Sequence, residues 1–150
     1  MAGDELHYLP ISQVARLLRQ RKVSCLEVTE AAWTRIDKVN PILNAFITFQ
    51  REESLLAARE ADSLLEKDAP KSPLHGIPIA LKDLYDTEGL LTTAGSRVTA
   101  ERVPGEDSTV TRRLREAGAI LLGKANMSEF ACGGMDHAFG AVSNPWDIER

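Results

Sequence analysis

The sequence predicts an α/β protein: N-terminal helices followed by part of a mixed, mostly parallel sheet flanked by helices. Three observations predict it. Apolar residues recur at helical spacing through the N-terminal third, Ile77 to Leu81 form a continuous apolar run, and a second run, Ala119 to Leu122, follows a helix and its glycine stop. Short uninterrupted apolar runs are expected of strands buried on both faces, and helix, tight glycine and apolar strand is the repeating unit of parallel sheets.

Each element has a local reason. A first helix begins near Ser12, sets Val14, Leu17 and Leu18 on one face and stops by Lys22-Val23. Ser24 and Glu27 have the spacing of a capping box, in which the hydroxyl accepts the N3 amide and the carboxylate returns to the cap amide. The helix they open carries Val28, Ala32, Ile36 and Val39, and Asn40-Pro41 is expected to end it. Ala45 to Thr48 is short, aromatic and β-branched, as a strand requires. Arg51 to Glu66 reads as a third helix with Leu55, Ala58 and Leu65 inward, and Lys67 to His75 as a polar, proline-containing connector. Asp107-Ser108 caps a helix from Thr109 to Ala117 that turns Val110, Leu114 and Ala117 inward and stops at Gly118. Beyond a short helical piece near Met127 to Ala131 no regular element is predicted.

Composition narrows the function. With 43% hydrophobic residues spread along 150 positions, the chain is too apolar to be disordered and is of single-domain size. A net charge of −4, with acids and bases interspersed, excludes the basic footprint of a nucleic-acid or anionic-membrane binder. The acidic N-terminus is unlike a signal peptide, and no apolar run approaches a membrane span, so a cytoplasmic protein is expected. Cys25 and Cys132 have no metal-ligand spacing and read as reduced thiols. Two doubly buried strands with few neighbours, followed by a tail without elements, predict an unfinished architecture. A core left partly uncovered also predicts self-association.

Several motifs fail. Gly118 to Ala125 nearly spells the phosphate-binding G-x-x-x-x-G-K-[ST], but Ala125 replaces the magnesium-binding hydroxyl, and Ala119 to Leu122 belong in a strand rather than a loop. There is no G-x-S-x-G elbow and no S-x-x-K, and His7, His75 and His137 are scattered. Asp136-His137 reads as exposed loop polarity rather than a base with its orienter. Lys82 ends the run that starts at Gly76, where a strand of an open α/β sheet would reach its ligand crevice. Partly desolvated there, a lysine can serve as a neutral base, but taken alone Lys82-Asp83 reads more readily as a solvated strand end. Gly89 to Gly95, with Thr92 and Thr93 between, is a turn-rich excursion without an assigned purpose.

Three blocks in order resemble the amidase signature family: G-I-P-I-A-L-K-D-L-Y-D-T-E-G-L-L-T-T-A-G-S from Gly76 to Ser96, D-S-T-V-T-R-R-L-R-E-A-G-A-I-L-L-G-K-A-N-M-S-E-F-A from Asp107 to Ala131, and F-G-A-V-S-N-P-W-D-I-E-R from Phe139 to Arg150. V-S-C-L-E-V-T-E and N-P-I-L-N-A-F-I-T resemble the family's opening helices. The resemblance implies hydrolysis of a small-molecule amide by a Ser-cisSer-Lys triad, without metal or cofactor. In it lysine deprotonates a bridging serine, which activates the nucleophilic serine, and backbone amides bind the oxyanion. By the match Lys82 is the catalytic lysine, and Cys132, Gly133 and Gly134 lie near the substrate pocket. The family's glycine-serine-rich segment, which carries both serines, is absent, and Ser96, Ser128 and Ser143 stand outside any such motif. The resemblance therefore divides the chain into a mainly helical lead-in, 1–75, and the start of a catalytic core, 76–150, inactive by itself. The alternatives are a non-catalytic interaction module and part of the A subunit of a tRNA-dependent amidotransferase.

Overall fold

A computed structural model describes residues 3–133 and 138–148. In chain order the elements are α1 (Ile11–Arg19), α2 (Cys25–Leu43), β1 (Phe46–Phe49), α3 (Arg51–Glu66), β2 (Pro78–Lys82), α4 (Thr109–Glu116) and β3 (Ile120–Ala125), with short 3-10 turns at Gly3–Tyr8, Arg97–Thr99 and Glu129–Ala131. The three strands form one sheet in the order β1-β3-β2. β1 is antiparallel to β3, with Phe46 opposite Ala125 and Phe49 opposite Gly123. β2 runs parallel to β3: Ile120 donates to the Ile77 carbonyl, and farther along Asp83 donates to the Ala125 carbonyl. The sheet is thus mixed, as predicted. Among the described residues no helix is long and apolar enough to cross a membrane.

The chain forms two compact units. The first comprises Met1–Asp37, Gln50–Ile79 and Arg113–Leu122, the second Lys38–Phe49, Ala80–Arg112 and Gly123–Arg150. The first unit holds a core of Leu6, Val14, Leu17, Leu18, Cys25, Val28, Ala58, Ala61, Ile77 and Ile120. Ser24 and Glu27 make the predicted capping box, at 3.0 Å from Glu27 N to Ser24 Oγ and 2.8 Å from Ser24 N to Glu27 Oε2. Asp62, on α3, satisfies the next two orphan amides, accepting from Cys25 N at 2.6 Å and Leu26 N at 3.1 Å. Small residues (Ser54, Ala58 and Ala61) form the buried seam of α3, while Leu55 and Leu65 are half-buried beside it. Trp33 donates its indole N–H to Ser54 Oγ at 2.8 Å, and the Arg51 guanidinium lies 4.5 Å from the Trp33 ring centroid.

The structure departs from the sequence expectations at three places. α2 runs through Pro41 to Leu43. It ends instead at Asn44, whose φ of 51° is left-handed and whose N–H donates to the Asn40 carbonyl. Proline costs a helix one donor, but within the last turn the next residues still close their bonds. On α4, Thr111 is buried and Val110 is 41% exposed, because the Thr111 hydroxyl donates to the Asp86 carbonyl at 2.7 Å. Ser108 provides the predicted cap, its Oγ accepting from Thr111 N at 3.3 Å. Finally, β3 is buried from Ile120 through Lys124, as expected, but β2 is not buried on both faces. It is an edge strand of the sheet, and Ala80 and Lys82 are exposed.

Candidate functional site

The second unit contains Lys82, Cys132 and Gly133, the candidate site residues among those described. Lys82 is the last residue of β2 and is exposed, whereas Leu81 and Asp83 on either side are buried. Lys82 is solvated, as a strand end read from the residues alone would be, because an edge strand leaves one face of its alternating side chains open. Its backbone is nonetheless held: the Lys82 carbonyl accepts from Tyr85 N at 3.0 Å, and the next N–H, that of Asp83, donates to the Ala125 carbonyl at 3.0 Å.

Asp83 is fully buried and organises the loop that follows. Its Oδ2 accepts from Thr93 N at 3.0 Å and Thr93 Oγ1 at 2.5 Å, and its carbonyl accepts from Ala94 N at 2.9 Å. Lys124, also fully buried, donates from Nζ to the Tyr85 carbonyl, to Thr92 Oγ1 at 2.9 Å and to Thr87 Oγ1 at 3.1 Å. Burial pushes the Lys124 ammonium down to about 8, against the opposing pull of Asp83 and Asp86. Asp86 forms a two-pronged bridge to Arg102, at 2.6 and 2.7 Å, which holds its carboxyl below the usual carboxylate range.

The end of the Gly89 to Gly95 excursion, to which the sequence assigns no purpose, together with Ser96 ties this loop to the turn before Cys132. The Ala94 carbonyl accepts from Phe130 N at 2.8 Å, and Ser96 donates its hydroxyl to Glu129 Oε1 at 2.6 Å. Gly95 fits so closely that an added Cβ would lie 2.7 Å from the Met127 carbonyl oxygen. Phe130 and Ala131 both adopt positive φ, 47° and 58°, so the chain turns sharply into an exposed Cys132 and Gly133. Among the described residues no hydrogen bond joins Lys82 to Cys132 or Gly133; Gly134, Asp136 and His137 lie outside them. His75 is buried against Gly118 in the first unit, with Nε2 3.0 Å from the Ala61 carbonyl oxygen.

The geometry also disposes of the phosphate-loop near miss. Gly118 is the stop after α4, with φ of 85°. Gly123 is a strand residue where a Cβ would lie 2.2 Å from the Thr48 carbonyl oxygen of β1. Lys124 is enclosed, with its donors spent on the protein. Both glycines and the lysine are accounted for by packing.

Residues 27–150, which include Lys82, the loop it leads into and Lys124, match the Amidase family. The chain belongs to the amidase family. It is 48% identical over 142 residues to the A subunit of the glutamyl-tRNA(Gln) amidotransferase of Azoarcus sp. (strain BH72), covering 93% of this chain and 29% of that protein. The corresponding A subunit from Moorella thermoacetica is 43% identical over 148 residues, covering 97% of this chain and 30% of the other. Among solved structures, a native peptide amidase from Stenotrophomonas maltophilia superposes with a TM-score of 0.83 at 32% identity, over 92% of this chain and 30% of that one. A further amidase crystal structure gives a TM-score of 0.86, with 32% identity over 95% of this chain and 33% of the other. The chain thus spans less than a third of the length of the curated relatives it matches. The amidase α/β fold was legible in the sequence, as was the end of β2 on which Lys82 stands. The buried pair Asp83 and Lys124 was missed; for Lys124 the unused signal was a charged residue inside the otherwise apolar run Ile120–Ala125.

Proposed function

We propose that this chain is the lysine-bearing part of an amidase that cleaves the C–N bond of a small-molecule carboxamide with a Ser-cisSer-Lys triad. The observation that carries this reading is Lys82: an exposed amine at the carboxyl end of a parallel strand, with its carbonyl and the following N–H both hydrogen-bonded, inside the residues matched to the amidase family. A ligand crevice lies at that end of strands in open α/β sheets. In its neutral form Lys82 would take the proton of a bridging serine, which in turn would deprotonate the nucleophilic serine attacking the amide carbon. Cys132, Gly133 and Gly134 would line the substrate pocket. On this reading residues 1–75 are the helical lead-in and 76–150 the start of the catalytic core, in a cytoplasmic enzyme whose triad uses no cofactor.

These 150 residues hold the lysine but no glycine-serine-rich segment, so the chain by itself is expected to turn over no amide. Joined in frame to the remainder of the Stenotrophomonas peptide amidase, it should support hydrolysis of a peptide amide. Lys82→Ala in that chimera should lower kcat by about a thousandfold or more, as loss of one member of a cooperating catalytic unit does. Turnover surviving Lys82→Ala would refute the role of Lys82. Turnover by the 150 residues alone would refute their inactivity.

Similarity to amidotransferase A subunits supports a narrower form, in which the amide cleaved supplies ammonia to a tRNA-dependent transfer carried out with partner subunits. Exposure of Trp146 at 93% and Val98 at 87% supports a second reading, an interaction module that self-associates or binds a partner through these residues. Sedimentation of the 150-residue chain as a monomer across concentrations, unchanged by Trp146→Ser, would count against it.

A further inference from the structure

Lys124 is the largest fully buried side chain among the described residues, and it carries a charge. Burying an ammonium is costly unless every donor is satisfied, and Lys124 satisfies all three, on the Tyr85 carbonyl and the Thr87 and Thr92 hydroxyls. Being enclosed, it can touch neither a phosphate nor an amide substrate. All three acceptors lie on the loop that leaves Lys82.

The shortest connection is through Tyr85. The Tyr85 N–H donates to the Lys82 carbonyl, while the Tyr85 carbonyl accepts from Lys124 Nζ. One residue is therefore gripped from both sides, by Lys82 and by Lys124. The residue after Lys124 completes the ring, since the Ala125 carbonyl accepts from Asp83 N. Lys82 thus stands at the mouth of a closed circuit: Lys82 carbonyl, Tyr85, Lys124, Ala125, Asp83. Thr92 and Thr93 tie in the far end of the loop, Thr92 on Lys124 and Thr93 on the Asp83 carboxylate.

We propose that Lys124 is a positioning residue for Lys82: its buried ammonium locks the Tyr85 turn, so that Lys82 leaves β2 in one fixed direction. An exposed lysine has four rotatable side-chain bonds, and a base must be held near its proton to act. Fixing the backbone from which that side chain springs is what an edge strand cannot do by itself. This inference rests on the catalytic reading of Lys82 for its functional meaning, but its physical content, the order of residue 82, can be measured without catalysis.

The experiment uses the 150-residue chain and its Lys124→Met variant, which keeps the stem and removes the charge and all three donors. Side-chain and backbone NMR signals of Lys82 and Asp83 are compared at a temperature where circular dichroism shows both chains folded, with Lys38 and Lys71 as references. The expected result is a single set of Lys82 signals in the parent and shifted or doubled signals in Lys124→Met. Amide exchange at Asp83 and Ala94 should accelerate about tenfold or more while Ile120 stays protected, because a local opening exposes only the amides it releases. A merely structural role would lower stability and leave the folded-state Lys82 signals superimposable on the parent; that result overturns the proposal. Should Lys124→Met fail to fold, Thr92→Val removes one acceptor at nearly constant shape and is judged by the same signals. Failure of Lys82→Ala to abolish turnover in the chimera would refute the catalytic reading and leave this measurement standing.

Discussion

Cys25 sits in the first unit with its amide on Asp62 and its Sγ facing Gly76, where an added Cβ would approach to 2.3 Å. Burial, reinforced by the Asp62 carboxylate, pushes the thiol up to about 12, so at neutral pH it is protonated and inert. Cys132, by contrast, is exposed. Titration of the folded chain with a thiol reagent should therefore modify Cys132 alone, and Cys25 should react only after denaturant unfolds the protein. Reaction of both thiols at one rate in the native chain would show that Cys25 is not enclosed. The same contact makes Gly76→Ala a severe change: its φ of 77° is left-handed and the added Cβ would overlap the sulfur of the fully buried Cys25, which together should cost about 3 kcal/mol or more. Ser96 illustrates the converse case at this scale. Its hydroxyl is buried and committed to Glu129, which accounts for its conformation with no nucleophilic role.

Elements were legible in the sequence wherever their determinants are local. The boundaries of α3 coincide with the helical apolar pattern, the Ser24–Glu27 cap forms as its spacing dictates, and Gly118 ends α4 for the left-handed conformation it alone adopts cheaply. What local pattern could not reveal is long-range. Thr111 displaces Val110 from the inward face because its partner is the Asp86 carbonyl. Lys124 is buried because its partners lie at Tyr85, Thr87 and Thr92. The Gly89 to Gly95 excursion gains its purpose only when Asp83 and Phe130 are brought beside it. Of the candidate site, the place of Lys82 at the end of β2 was accordingly legible, and its scaffold was not. Gly123 marks the same boundary: within a phosphate-loop lookalike it is required by β1, whose Thr48 carbonyl would lie 2.2 Å from a Cβ. Gly123→Ala should therefore weaken β1–β3 pairing and lower unfolding free energy by about 2–4 kcal/mol. Equilibrium urea denaturation reads this directly, and a loss under about 0.5 kcal/mol, the size of a surface substitution, would show that the strands separate readily.

At the scale of the whole molecule, the buried ammonium couples folding to pH in a direction opposite to most lysines in ion pairs. The folded-state value of Lys124, about 8, lies below its ordinary 10.5. Between those limits the unfolded chain binds a proton at this site that the folded chain has largely released. Unfolding free energy rises with pH wherever the unfolded state holds more protons, so the Lys124 contribution is least favourable below pH 8 and improves up to about pH 10.5. Asp86 acts at the other end of the scale. Its lowered value means that stability it contributes above the ordinary carboxylate range is lost as acid protonates it and releases Arg102. The two effects are separable because Asp86, held below the ordinary carboxylate range, stays ionised throughout the window in which Lys124 titrates. Melting temperatures of parent and variant, measured from pH 7 to 10, contain the same tyrosines and the same surface lysines, so their difference isolates residue 124. That difference should shift in favour of the parent as pH rises through 8. A constant gap would mean that Lys124 titrates alike in folded and unfolded chains. A gap closing with pH would mean that its hydrogen bonds to Tyr85, Thr87 and Thr92 hold the charged form more strongly than burial opposes it.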